Sequence, residues 1–341
     1  EKLKKLEREK YILQGEFRKQ GKDSFLITDF AMLRDYKSSA DNKYKNANHL
    51  FLDYKSDFKI PNYSKSLFEF HFEKVTNDTY LKVFQNNLFD THTLLKPSSL
   101  STMNSKMELY LEQENYNFET GIMVYENLGQ KHSDRYQYTF PYYGFSKDLT
   151  SIISDDYTIG SLNFNSNGSN KLSETNNLRT EIQNTLNYAS PDFISNIGLK
   201  NNFNLYLSNS NAIGKNDTIY TSDPQIDAKS LLKLDSAFPL IKFSDKNTET
   251  LTPKISFMIN PGNNMNDYSN LGSTISASNA FNINRLGISS DFEAGRSATF
   301  GLDYKLDPIE EYVTEDIKDK YLGINIATVI RDQIEEEIPV S

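Results

Sequence analysis

The sequence predicts an all-β protein built as an antiparallel meander. Three observations carry this reading. Apolar and polar residues alternate at period two along most of the chain, which gives strands one apolar and one polar face. Each run is bounded by Gly, Asn, Asp, Ser or Pro, the residues that make turns. The runs recur at hairpin spacing, giving about 14–18 candidate strands over 341 residues.

The elements follow in chain order. Helical spacing is confined to residues 1–10, where Leu3 and Leu6 are too few to bury much. In "SLFEFHFEKVTNDTYLKVF", residues 66–84, Phe68, Phe70 and Phe72 share one face and Glu69, His71 and Glu73 the other. That run then breaks into the polar turn Thr76-Asn77-Asp78-Thr79. Met107, Leu109 and Leu111 stand opposite Glu108, Tyr110 and Glu112; Phe118, Ile122 and Val124 alternate with Asn117, Glu119 and Met123. "RYQYTFPYYGF", residues 135–145, gathers rings where a strand end is expected. Leu162 and Phe164 alternate with Asn163 and Asn165, and Phe203, Leu205 and Leu207 with Asn202, Asn204 and Tyr206. Ile255, Phe257 and Ile259 form the next run. Ala298, Phe300, Leu302, Tyr304 and Leu306 face away from Thr299, Gly301, Asp303 and Lys305. Leu322, Ile324 and Ile326 close the series. Asn167-Gly168 suits a hairpin, and the polar stretches 36–48, 209–224 and 261–275 suit exposed loops.

Composition narrows the solvent question. Only 37% of the chain is hydrophobic, yet 13% is aromatic, all of it Tyr and Phe. Such a chain has little with which to fill a thick interior but can line one face of a long sheet. Net charge is −9 with acids and bases interspersed, so no basic block marks a nucleic-acid partner. Cys is absent, which excludes disulfides and Cys-ligated zinc within these residues. No run of 18 apolar residues suggests a membrane helix, but a membrane strand needs only about 10 residues with alternate ones apolar. The ends, "EKLKKLEREKYILQGEF" without a signal-peptide core and "RDQIEEEIPVS" without a strand pattern, are expected to be cuts through a longer protein.

Alternation alone fits two architectures. In a soluble sandwich the apolar face turns inward; in an outer-membrane barrel it meets lipid while the polar face lines the lumen. Charge along one strand face ("EFHFEK", "LDYKLD"), rings gathered as in an aromatic girdle, and a mean hydropathy of −0.61 all suit the barrel. Enzymatic constellations are missing. His49, His71, His92 and His132 lack zinc spacing, and Ser289 and Ser290 lack a nucleophile elbow. Glu108 and Glu112, about 13 Å apart on a strand face, are too distant for a glycosidase pair. The stretch Asn263-Asn264-Met265-Asn266-Asp267 lacks the acidic spacing of a calcium loop, and Glu335-Glu336-Glu337 suits a solvated loop. No catalytic, cofactor-binding or metal-ligating residues are expected.

A resemblance bears on the choice. "FEFHFEKVTNDTYLKVF" is similar to a segment of the lipopolysaccharide-assembly outer-membrane proteins, the LptD or organic-solvent-tolerance family, in which an aromatic strand enters an "SDDTYL" turn. The matching residues are Asn77, Asp78, Thr79, Tyr80 and Leu81. "YILQGEFRKQGKDSFLITDFAMLRD" resembles an early barrel hairpin of that family and "NHLFLDYKSDFKI" the strand before the motif. "RYQYTFPYYGFS" resembles its proline passage, with only Pro141 kept. "SNAFNINRLGISSDFEAGRSATFGLDY" resembles its Asn-Arg, Asp-Arg and Glu-Gly-Arg region through Asn279, Phe281, Asn284, Arg285, Gly287, Asp291, Glu293, Gly295, Arg296 and Gly301. Phe292 replaces an expected Arg, and Ala277-Ser278 an expected acidic pair.

The resemblance implies an interior piece, residues 1–341, of a large transmembrane barrel. The family's N-terminal jelly-roll and the first and last barrel strands, which form its lateral gate, are expected to lie outside these residues. The implied function is delivery of lipopolysaccharide to the cell surface, without bond chemistry. The implied partners are lipopolysaccharide, an LptE-type lipoprotein plug, periplasmic bridge proteins reached through the jelly-roll, and outer-membrane lipid. The implied location is the outer membrane. The alternatives are another porin or receptor barrel, or a secreted β-rich adhesin or carbohydrate-binding protein. Glu108, Glu112, Asp303 and Lys305 are expected to line a polar lumen.

Overall fold

A computed structural model describes residues 2–6, 10–37, 44–89, 93–131, 134–153, 160–245, 247–262, 274–287, 292–308 and 322–332. The strands are β1 (Lys2–Leu6), β2 (Lys10–Gln20), β3 (Ser24–Lys37), β4 (Tyr44–Asp57), β5 (Lys65–Val75), β6 (Thr102–Gln113), β7 (Tyr116–Asn127), β8 (Tyr136–Asp148), β9 (Ser161–Ser173), β10 (Asn177–Ala189), β11 (Phe193–Ile194), β12 (Lys200–Lys215), β13 (Gln225–Ala237), β14 (Leu240–Phe243), β15 (Asn247–Asn260), β16 (Gly295–Pro308) and β17 (Leu322–Arg331). Helix α1 spans Tyr80–Leu88, and one turn, α2, spans Thr150–Ile153. The protein is all-β and antiparallel, as its alternation predicts.

Two compact units emerge. The first comprises Glu1–Lys147, Asn165–Asn184 and Ser210–Ile226; the second comprises Asp148–Phe164, Thr185–Asn209 and Asp227–Ser341. In the first, β1 to β8 pair in sequence order as a meander. In the second, β15 pairs with β13, β14 and β16, and β16 pairs with β17.

Residues 2–6, where helical spacing was sought, are a strand, paired from Lys2 opposite Gln14 to Leu6 opposite Lys10. A short helix with two leucines cannot offset its nucleation cost, whereas an open strand edge supplies backbone partners at once. The loops expected over 36–48 and 209–224 are also shorter than the sequence suggests. β3 and β4 continue to Lys37 opposite Tyr44, past a register shift after Leu33, and β12 runs on to Lys215. Asn, Ser and Lys are poor strand formers, but hairpin ladders extend beyond the apolar band that the pattern detects. The rings of "RYQYTFPYYGF" lie along most of β8 rather than at one end.

Each unit has two unlike faces. On β2 and β3, Ile12, Gln14, Ile27, Asp29, Ala31 and Leu33 are buried, while their neighbours Tyr11, Leu13, Phe17, Phe30 and Met32 are exposed. In the second unit Lys233, Ser256, Met258 and Thr299 are buried, while Leu234, Phe257, Ile259, Phe300, Leu302, Ile324, Ile326 and Ile330 are exposed. In the second unit the more apolar face is therefore the open one, while on β2 and β3 both faces carry large apolar side chains. What covers the other face is a long insertion in each unit.

In the first unit the cover is α1. Tyr80, Leu81, Phe84 and Leu88 recur at helical spacing and pack with Ile12, Ile27, Ala31, Leu33, Ala47, Phe51 and Val75. Thr76-Asn77-Asp78-Thr79 is a turn, as the sequence suggests, and it leads directly into the helix at Tyr80. Asn77 Oδ1 accepts from the Thr79 amide and hydroxyl, both at 3.1 Å, a local bond that competes with strand pairing.

Candidate functional site

Beside the core under α1, the same face of the first unit carries a ladder of charge along β4 to β6. β4 contributes Asp53 and Lys55, β5 Glu69, His71 and Glu73, and β6 Lys106 and Glu108, brought level by register: Asp53 opposite His71, which is opposite Lys106. His71 bonds Asp53 through Nδ1 and reaches Glu73 through Nε2 at 3.2 Å. Lys55 donates to Glu69 at 2.9 Å, Lys106 to Glu108 at 3.0 Å, and Tyr142 also donates to Glu108. Anions and cations alternate, so no strong field of either sign builds up. Such a surface stays wetted and offers donors and acceptors to hydroxyl-rich ligands.

Where α1 lies on this face, a small polar knot is sealed under it. Gln14 Nε2 donates to both Asp29 oxygens at 3.1 Å and to the Leu88 carbonyl, at the end of α1, at 3.2 Å. His49 Nε2 stands 2.6 Å from Asp29, both side chains buried, and the His49 ring stacks on Phe51 at 4.4 Å. Burial, and then the nearby Asp29 charge, push the Tyr80 hydroxyl above its ordinary range. The helix start is tied down as well. Arg135 bonds Asp78 at 2.8 Å and Glu126 at 2.7 Å. Lys74 also meets Glu126, at 2.8 Å.

In the second unit, residues 274–287 and 292–294 lie over β15 and β16. Arg285 is 1% exposed. Its Nε and Nη2 grip Glu293 at 2.7 and 2.6 Å, while Nη1 donates to Thr299 at 3.0 Å and Nη2 to Ser297 at 2.8 Å. Arg331 of β17 bonds Glu293 too. Burial alone would raise the Glu293 carboxyl, but bonds from Arg285 and Arg331 outweigh it and hold the group below the usual range. Asn260 donates to the Glu293 carbonyl at 3.2 Å. The Phe281 ring covers Gly301, where a Cβ would meet it at 2.5 Å; Lys254 lies 5.6 Å from that ring's centre. Phe292 meets Tyr206 edge-on at 4.5 Å.

The residues expected to line a polar surface sit on covered-face positions. Glu108 and Glu112 lie in register with Glu69 and Lys65. Asp303 pairs with Lys254, and Lys305 with Asp307 at 2.9 Å. The motif residues Arg285 with Glu293, and Phe281 with Gly301, meet in space. Asp291, Ser289, Ser290, His92, His132, the stretch 263–267 and Glu335-Glu336-Glu337 lie outside the described residues. Sequence reasoning missed the Gln14–Asp29–His49 knot. Part of its signal was present: on one face Asp29 stands between Ile27 and Ala31, and His49 between Ala47 and Phe51, whereas Gln14 has Ile12 on one side and Glu16 on the other. Among the described residues, no group of three or more His, Asp or Glu could hold a metal ion.

No protein-family model matches the chain, and no curated protein matches it.

Proposed function

We propose that the chain is part of the wall of an outer-membrane β-barrel of LptD type, whose intact parent delivers lipopolysaccharide to the cell surface. The observation that carries the membrane reading is the inverted arrangement of the faces. Exposed large apolar side chains recur on one face of successive strands, while charged and polar groups gather on the other, some buried and some open to solvent. In water this would leave rows of large apolar side chains open to solvent, which soluble chains avoid; in lipid it is the expected arrangement. The long strands, 10 to 16 residues in β17 and β12, exceed or match the 9–11 residues or so that a tilted membrane strand needs.

The lipopolysaccharide reading rests on the "VTNDTYL" and "NRLGISSDFEAG" resemblances, on a wetted face of alternating charge suited to a sugar headgroup, and on the absence of a catalytic constellation in the sequence. No bond is made or broken. On this reading an LptE-type lipoprotein plug is a separate partner. A second reading is a porin or nutrient receptor, favoured by the insertions that fill the covered face as a constriction would.

Depletion of the parent protein, followed by surface labelling of newly made lipopolysaccharide, separates the two. The transport reading predicts that new lipopolysaccharide is held back from the surface and that cells become permeable to hydrophobic compounds. Undiminished delivery with lost uptake of a small nutrient would move the assignment to the porin or receptor.

A further inference from the structure

On the open face of the second unit, Ala298 of β16 stands between Phe257 of β15 and Ile330 of β17. A methyl group there, flanked by two large side chains, leaves a slot of about 340 Å³. Phe257, Ile259 and Ile330 wall it and are 45%, 37% and 57% exposed. The slot runs out at the strand end, where β16 begins at Gly295 and β17 stops at Arg331. There it meets one cation and one anion, Arg296 and Asp332. Two hydrogen bonds fix these residues side by side: the Asp332 amide donates to the Arg296 carbonyl at 3.1 Å, and the Arg296 amide to the side-chain Oδ1 of Asp332 at 3.1 Å. Their side chains are only loosely paired, with Arg296 Nε 3.9 Å from Asp332 Oδ2 and the Arg296 side chain 76% exposed. Arg331, next in line, is turned to Glu293.

We propose that this slot holds one acyl chain of a zwitterionic phospholipid whose head carries a phosphate and a primary ammonium, a phosphoethanolamine lipid. The inference rests on the open face lying in lipid. The apolar walls take the chain. The guanidinium takes the phosphate, for which its planar donor fork is suited. The carboxylate takes the ammonium N–H groups. A purely anionic head would gain Arg296 but face Asp332 as a like charge. A quaternary choline head has no N–H to donate.

The test uses the full chain purified in mild detergent and mixed with phosphatidylethanolamine, phosphatidylglycerol or phosphatidylcholine. Native mass spectrometry reads the lipid retained. The wild-type chain should retain phosphatidylethanolamine about tenfold over either other lipid, a difference of about 1.4 kcal/mol. Ala298→Phe should abolish that retention by filling the slot. Arg296→Gln should weaken phosphatidylethanolamine and phosphatidylglycerol alike, and Asp332→Asn should erase the preference between them. Unchanged retention in Ala298→Phe, or unchanged headgroup preference in Asp332→Asn, overturns the proposal. Flotation of every variant with liposomes is measured in parallel. A wild-type chain that does not float defeats the membrane reading itself; one that floats without lipid preference defeats only the slot.

Discussion

Phe70 and Glu69 are neighbours in sequence whose side chains, on this account, end in different solvents. Phe70 lies on the open face, its ring stacked 6.3 Å from Phe72, and Glu69 lies on the charged ladder with Lys55. Phe70→Arg should therefore cost about 2–4 kcal/mol if it sits near the bilayer midplane, while Glu69→Ala should be mild. Folded yield in liposomes measures both; a tolerated Phe70→Arg beside a ruinous Glu69→Ala would reverse the facing. Buried charge gives a second case. Glu293→Ala leaves Arg285 buried without its carboxylate, a loss of about 3–5 kcal/mol, seen as faster hydrogen exchange across residues 274–287. A third residue titrates. The Arg179 guanidinium, aided by the Ile219 and Tyr220 amides, holds Asp217 down to about 2. A depressed carboxyl contributes stability fully above its unfolded value of about 3.9 and loses it as pH falls through the folded value. Cleavage of residues 216–224 by an acid-stable protease should therefore rise between about pH 4 and pH 2, and Asp217→Asn should flatten that profile. The partners of Arg285 were legible only as a motif. Which carboxylate it grips, and that Thr299 and Ser297 complete the set, depends on where Arg285 and Glu293 come to lie against β16, and no strand period encodes that.

Helix α1 shows where pattern reading fails at the level of elements. Its apolar residues, Tyr80, Leu81, Phe84 and Leu88, repeat at helical spacing, but the run is only nine residues long and follows a polar turn that suits a hairpin as well as a helix. A short helix is decided by what it packs on, and here that is the face of β2 to β4. Leu81→Ala and Leu88→Ala, both at fully buried positions, should each destabilise the first unit by about 2–5 kcal/mol. Denaturant titration checks this, and losses below 1 kcal/mol would mean that α1 merely rests on the sheet. The strands themselves were legible wherever apolar residues alternate, as in β5, β6, β15 and β16. Their polar ends, in β3, β4 and β12, were not, because hydrogen bonding continues there without an apolar partner face to mark it. Strand β1 was missed for a related reason: it is held by the edge of β2 rather than by a pattern of its own.

For the molecule as a whole, period-two alternation fixes which residues share a face but not which face meets water. A sandwich and a membrane barrel alternate identically. Exposure is what the proposed barrel reading draws on. Phe257, Phe300, Leu302, Ile324 and Ile326 lie open, while Lys233, Ser256, Thr299 and Arg285 on the opposite side are buried. The central claim is therefore that the open face contacts lipid. The chain has no Cys, so single cysteines can be placed freely. Fluorophores on Cys at positions 300, 302, 324 and 326 of the liposome-reconstituted chain should be quenched by lipids brominated in their acyl chains, and fluorophores at 303 and 305 should not. Quenching at 303 and 305 instead, or none at any position, would contradict the account.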